Sequence, residues 1–213
     1  MEQIKVFDNL YEFSSANEGF PITFNQYLLF GEESLLVHTG NISHVKQLAP
    51  KLKELLGGKS LEYVFISHFE SDECGGLSYL LSHFPNIKTI CSQVTAMQLK
   101  GFGFTNELII KKPGEMLESK NFKLKFIGYP SEMHLWEGLL TVELDRQLFF
   151  SSDLFIKRDK MFEKVANSNW KGEVNSITIQ QIPSENALKT LQSILKDINV
   201  KYIATGHGPF LKL

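Results

Sequence analysis

The chain has 213 residues, 43% of them hydrophobic and 22% charged, which is ordinary for a globular domain and enough for one sizeable core. A net charge of −2, a pI near 6.3 and no run of Lys or Arg exclude a broad basic field for nucleic acid or an anionic membrane surface. Small molecules or proteins are therefore the expected partners, and one domain over residues 1–213 is the expected organisation.

The N-terminus, MEQIKVFDNLYEF, is charged and alternating where a signal peptide would be apolar, and no apolar run approaches ~18 residues, so the expectation is a cytoplasmic protein. Residues 3–13 read as one strand and 22–30 as another. Gly31-Glu32-Glu33 then turns into SLLVHTG, giving an antiparallel meander with no helix before Asn41. His38 lies in this meander and reads as a hydrogen-bonded core residue. From 43 to 56, Val45, Leu48, Leu52, Leu55 and Leu56 recur at helical spacing, with Ser43 as N-cap, His44 solvated in the first turn, and Gly57-Gly58 as the stop.

A strand over 62–67 ends in a cluster of donors: His68, Glu70, Asp72 and Glu73. Alternation along an extended loop places His68, Glu70 and Asp72 on one side, where they can converge on one point. Three carboxylates this close repel one another by ~1 kcal/mol per pair even in water, and by more when partly buried, unless a cation compensates them. Gly75-Gly76 turns the chain into a helix over 77–83, which ends at Phe84-Pro85 with His83 near its C-terminus. Cys74 and Cys91 form no C-x-x-C, which argues against a disulfide framework or zinc ribbon; Cys74 reads as a small buried hydrophobe.

A strand near 87–91, a helix over 92–100 and a strand at 107–111 follow, with a turn at Lys112-Pro113-Gly114. From 122 the pattern returns to strands: FKLKFIGYP, then a hairpin of 138–143 with 147–151. Residues 154–172 read as a loop with a short helix over a cleft. Ser184 caps a helix with Ala187, Leu188, Leu191, Ile194 and Leu195 on one face, and a strand at 201–204 runs into TGHGP. Three more donors, His134, Asp153 and His207, follow strand-like runs, so loops at one sheet edge can gather them.

HFESDE, His134, SSDLF and ATGHGP, in that order, resemble the di-iron domain of flavodiiron proteins within the metallo-β-lactamase superfamily, over nearly the whole chain. The superfamily's hydrolases carry H-x-H-x-D-H, flavodiiron proteins H-x-E-x-D, and Glu70 sides with the latter. The resemblance implies an α+β fold, a four-layer αββα sandwich. It also implies one iron on His68, Glu70 and His134, a second on Asp72 and His207, and Asp153 bridging. Two positions depart from the family: its histidine after the rack's aspartate is here Glu73, and its aspartate before T-G is here His38. The flavodoxin-like FMN domain that follows in flavodiiron proteins is not expected on this chain, which places it nearest the family's stand-alone oxygen-binding relatives.

Four carboxylates with three imidazoles and no thiolate suit iron, or manganese, better than zinc. The expected function is a non-haem di-iron protein that binds dioxygen, as a sensor or as a slow reductase with an external electron donor. The expected partners are dioxygen and that donor or a signalling protein; a homodimer stays open. A binuclear metallohydrolase is the alternative.

Overall fold

The computed structural model describes residues 1–16, 22–130, 138–158 and 163–213. Two seven-stranded sheets face each other. The first runs in chain order through β1 (Glu2–Phe7), β2 (Leu10–Ala16), β3 (Thr23–Leu29), β4 (Ser34–Val37), β5 (Leu61–Phe65), β6 (Lys88–Cys91) and β7 (Leu108–Ile110). The second comprises β8 (Met116–Glu118), β9 (Lys123–Tyr129), β10 (Gly138–Glu143), β11 (Leu148–Ser152), β12 (Val165–Asn167), β13 (Tyr202–Thr205) and β14 (Phe210–Lys212), in the spatial order β12-β14-β13-β11-β10-β9-β8.

The expected αββα layering follows from three apolar clusters. Tyr27, Leu35 and Phe65 of the first sheet meet Phe126, Phe150 and Phe210 of the second between the sheets. Leu28, Leu36 and Val64 face outward onto α1 (Ile42–Leu56), α3 (Leu77–His83) and α4 (Gln93–Gly101). Val142, Phe149 and Ile203 face outward onto α5 (Trp170–Ser176) and α6 (Glu185–Lys196). Alternation along each strand thus supplies both a middle and an outer core, and each fully buried Leu or Phe contributes about 1.5–3 kcal/mol. No helix among the described residues is long and apolar enough to cross a membrane.

Several expectations need correction. The strand expected over 3–13 is a hairpin, because Asp8-Asn9 turns the chain and Phe7 pairs with Leu10. Asn41, not Ser43, caps α1, its side chain accepting from the Ser43 and His44 amides. His44 is buried against Phe24, not solvated. Ser71–Cys74 is a short helix, α2, so the donor rack is extended only as far as Glu70. The 154–172 segment is not a loop with one helix: Asp153–Phe155 is a 3₁₀ turn, β12 extends the second sheet, and α5 starts only at Trp170, whose ring packs on Phe149 and Phe155. On α6, Leu191 and Leu195 are buried but Ile194 is exposed.

Of the buried acids outside the donor rack, Glu143 pairs with Arg146 and Glu173 with Lys157, and Glu12 stands apart from both. Glu12, on β2 with Leu10 and so on its inward side, is 2% exposed, and its Oε2 has no hydrogen-bond partner. Burial, reinforced by Glu2, pushes its carboxyl up to about 8. The folded chain therefore keeps this proton after the unfolded chain has lost it. Its stabilising contribution is full below the ordinary carboxylate value and falls as pH rises from there to about 8. Glu12→Gln should remove a slope of up to ~1.4 kcal/mol per pH unit across that window. Urea unfolding at pH 5, 6.5 and 8 checks this; parallel curves for both proteins would show that Glu12 ionises in the folded chain as freely as in the unfolded one.

Candidate metal centre

The site exists because parallel neighbours in a sheet end at the same edge. In the first sheet β4 and β5 run parallel, as β11 and β13 do in the second. His68 follows β5 in the chain, Asp153 follows β11 and His207 follows β13. Glu70 stands at the N-cap of α2, and Asp72 and Glu73 lie in its first turn. The sheets are stitched together here: the Asn25 amide nitrogen donates to Thr205 O (3.0 Å) and Gly208 O (2.7 Å), and the Tyr27 hydroxyl to Thr205 O (2.9 Å).

Six of the seven expected donors come together. His68 Nε2 lies 3.3 Å from Asp153 Oδ2, 3.7 Å from Glu70 Oε1 and 3.8 Å from Glu73 Oε2. His207 Nε2 lies 3.1 Å from Asp153 Oδ1 and 3.5 Å from Asp72 Oδ2. Asp153 thus directs one oxygen toward each histidine. Ligand atoms of His68, Glu70 and Glu73 lie within 4.8 Å of one another, and so do those of Asp72, Glu73 and His207. Glu73 therefore belongs to both trios. The seventh expected donor, His134, lies outside the described residues.

The second nitrogen of each imidazole is committed to the protein. His207 Nδ1 is 2.7 Å from the Thr23 carbonyl, to which only an N–H can donate, so Nε2 is the nitrogen left for the cluster. His68 Nδ1 is 3.0 Å from Ser67 Oγ. The glycines flanking His207 are needed for close approach. A Cβ on Gly206 would sit 2.8 Å from Ser152 O, and Gly208 has φ +110° with Lys157 Cβ 2.8 Å from where its own Cβ would lie.

The electrostatics reflect crowded acids. Burial first, then the Asp153 charge, raises the Glu73 carboxyl well above its usual value. Its Oε2 has no hydrogen-bond partner, and the residue is 2% exposed. Burial also opposes charge on the two histidines, yet Glu73 and Asp153 beside His68, and Asp153 beside His207, raise both. Burial would raise Asp153, but hydrogen bonds from His207 and His68 hold it well below the usual carboxylate range. A buried carboxylate oxygen without a partner, among further acids and two imidazole nitrogens, is a donor set that divalent cations satisfy and protein groups alone do not. The residues fit a pair of metal ions.

Nearby groups fill quieter roles. Cys74 donates its thiol to Glu70 O (3.1 Å), and burial pushes that thiol up to about 12, so it stays protonated and packs as a hydrophobe. His38 is buried, as its place in the meander implied, and burial lowers it to about 3, so its ring is uncharged. Ser67 and Ser152 escaped the sequence reading; the signal available was a hydroxyl immediately before His68 and another immediately before Asp153.

The model of the ODP family beta lactamase matches residues 22–208. Flavo-diiron protein FprA2 of Clostridium acetobutylicum is 24% identical over 99% of this chain and 58% of its own length. Rubredoxin oxygen:oxidoreductase of Desulfovibrio gigas has a similar fold at TM-score 0.82 and 17% identity, covering 99% of this chain and 57% of that one. A metal-soaked Flv1 flavodiiron core from Synechocystis gives TM-score 0.77 at 20% identity, again covering 99% of this chain and 57% of that one. The chain thus spans under two thirds of the length of these relatives.

Proposed function

Since the chain belongs to the ODP family of β-lactamase-like domains, matched over residues 22–208, we propose that it is a cytoplasmic non-haem di-iron protein, one di-iron domain, that binds dioxygen. The observation that carries this reading is the pair of trios sharing Glu73, with Asp153 reaching both histidines. His68, Glu70 and Glu73 would hold one ion, with His134 as a further donor, and Asp72, Glu73 and His207 the other, Asp153 bridging them. Held by these residues, a ferrous pair would supply electrons to a small diatomic ligand. The chain's own groups orient that centre: the Thr23 carbonyl and Ser67 hydroxyl fix the imidazoles, and buried Phe13, Leu36 and Phe126 in the adjoining cores keep the strands that carry them from shifting. Glu70, at 41% side-chain exposure, is the most open of the six described donors.

As a sensor the protein would hold oxygen; as a reductase it would draw electrons from an external donor protein. Glu70, in place of the histidine of hydrolytic relatives, favours oxygen chemistry over hydrolysis. Anaerobic loading with ferrous iron followed by exposure to oxygen tests this. The expected result is about two irons per chain and a visible absorption band that appears with oxygen. Tight zinc binding with hydrolysis of a generic ester, and no response to oxygen, would overturn it.

A further inference from the structure

Among the described residues three that are not glycine have positive φ: His38 (63°), Gln147 (55°) and Ser152 (46°). Gln147 closes the hairpin between β10 and β11. The other two meet at one atom: Ser67 Oγ lies 2.9 Å from His38 Nε2 and 2.9 Å from Ser152 Oγ. Its third neighbour, at 3.0 Å, is His68 Nδ1. A positive φ costs a non-glycine residue on the order of 1–3 kcal/mol and persists where the surroundings hold it. Here that cost aims two side chains at one hydroxyl.

A serine hydroxyl has one proton to donate and two lone pairs to accept with, so three neighbours saturate it. Building on the metal reading above, we infer that Ser67 is a positioning residue with a fixed proton order: it accepts His68 Nδ1–H and the Ser152 hydroxyl, and donates to His38 Nε2. Every donor then has its nearest acceptor, Ser152 Oγ lying farther from His68 Nδ1, at 3.5 Å, than Ser67 Oγ does. The order leaves the lone pair of His68 Nε2 turned toward Glu70, Glu73 and Asp153, where a metal ion needs it. His38 is the terminal acceptor, and its ring is held in place by stacking on Phe65 (centroids 6.4 Å apart, 23° between planes) and by its own backbone N–H bond to Phe65 O (2.9 Å). Ser152 ties the same hub to the strand that delivers Asp153, so His68 and the bridging carboxylate are set by one hydroxyl.

Zinc, being diamagnetic, is the probe. Its affinity is measured by chelator competition on the full chain for the wild type, Ser67→Ala, His38→Leu and His38→Gln, alongside long-range proton–nitrogen NMR of His68 and thermal unfolding without metal. Ser67→Ala and His38→Leu should weaken the ion held by His68 by about 10–100-fold, the usual effect of removing a ligand's outer partner, and the protected His68 Nδ1 proton should disappear in Ser67→Ala. His38→Gln keeps an acceptor oxygen and should recover most of the affinity. Wild-type zinc affinity and an unchanged His68 signal in Ser67→Ala would overturn the inference alone. So would equal affinity losses in the two His38 variants that track equal losses of thermal stability, which mean packing. A wild type that binds no zinc overturns the metal reading and this inference together.

Discussion

Asp153→Asn should remove the coupled metal pair, whereas His207→Ala should leave one ion in place. Asparagine preserves the shape of the side chain but provides no anionic oxygen for either ion, and Asp153 is the residue with one oxygen 3.3 Å from His68 Nε2 and the other 3.1 Å from His207 Nε2. Losing it touches both trios, while losing His207 leaves His68, Glu70 and Glu73 together. The affinity loss in Asp153→Asn should exceed the roughly 10–100-fold that removal of a mere outer partner produces. Metal content after desalting and chelator competition check this. Asp153→Asn retaining two ions at wild-type affinity would reduce Asp153 to an ion-pair partner of the histidines.

The donor rack was legible because its chemistry is local: His68 through Glu73 lie within six positions after an apolar strand, and the like charges ask for a counter-charge wherever the chain folds. The longer helices and strands were legible for a similar reason. Leu48, Leu52 and Leu56 mark a helix face by themselves, and Lys123, Leu124, Lys125 and Phe126 alternate at the start of β9. Of the three-residue strands, β7 was legible as the apolar run Leu108-Ile109-Ile110, but β8, β12 and β14 were not, since a segment that short shows no period of its own and acquires its strand character from its partner across the sheet. His44 was misread because its burial is decided by Phe24, which packs against it from another element. Nor did Ser67, Ser152 and His38 announce one another, because a hydroxyl carries no periodic signal and the three are joined only after three strand ends meet. Glu12 escaped because nothing in an alternating strand says which face lies between two sheets.

Glu73 should give opposite signs in two measurements on one substitution. Its oxygen Oε2 is buried without a partner, and burial with the Asp153 charge holds the carboxyl well above its usual value, so in the chain prepared without metal it is a cost. Glu73→Gln places an amide there that can donate to the surrounding acids, and should raise the unfolding free energy of that preparation by about 1–3 kcal/mol, the range for relieving an unsatisfied buried polar group. With metal the sign reverses. The carboxylate shared by both trios is lost, affinity for both ions falls, and the stabilisation that metal binding confers falls with it. Glu73→His, which restores a neutral donor, should recover part of the affinity. It should also raise the reduction potential of the iron-loaded pair and shorten the time for which oxygen is held under reductant, because one anionic charge that favours the ferric state is gone. If Glu73→Gln destabilised the metal-free preparation and left metal affinity unchanged, Glu73 would be an ordinary structural acid, and its buried unpartnered oxygen would owe nothing to a metal.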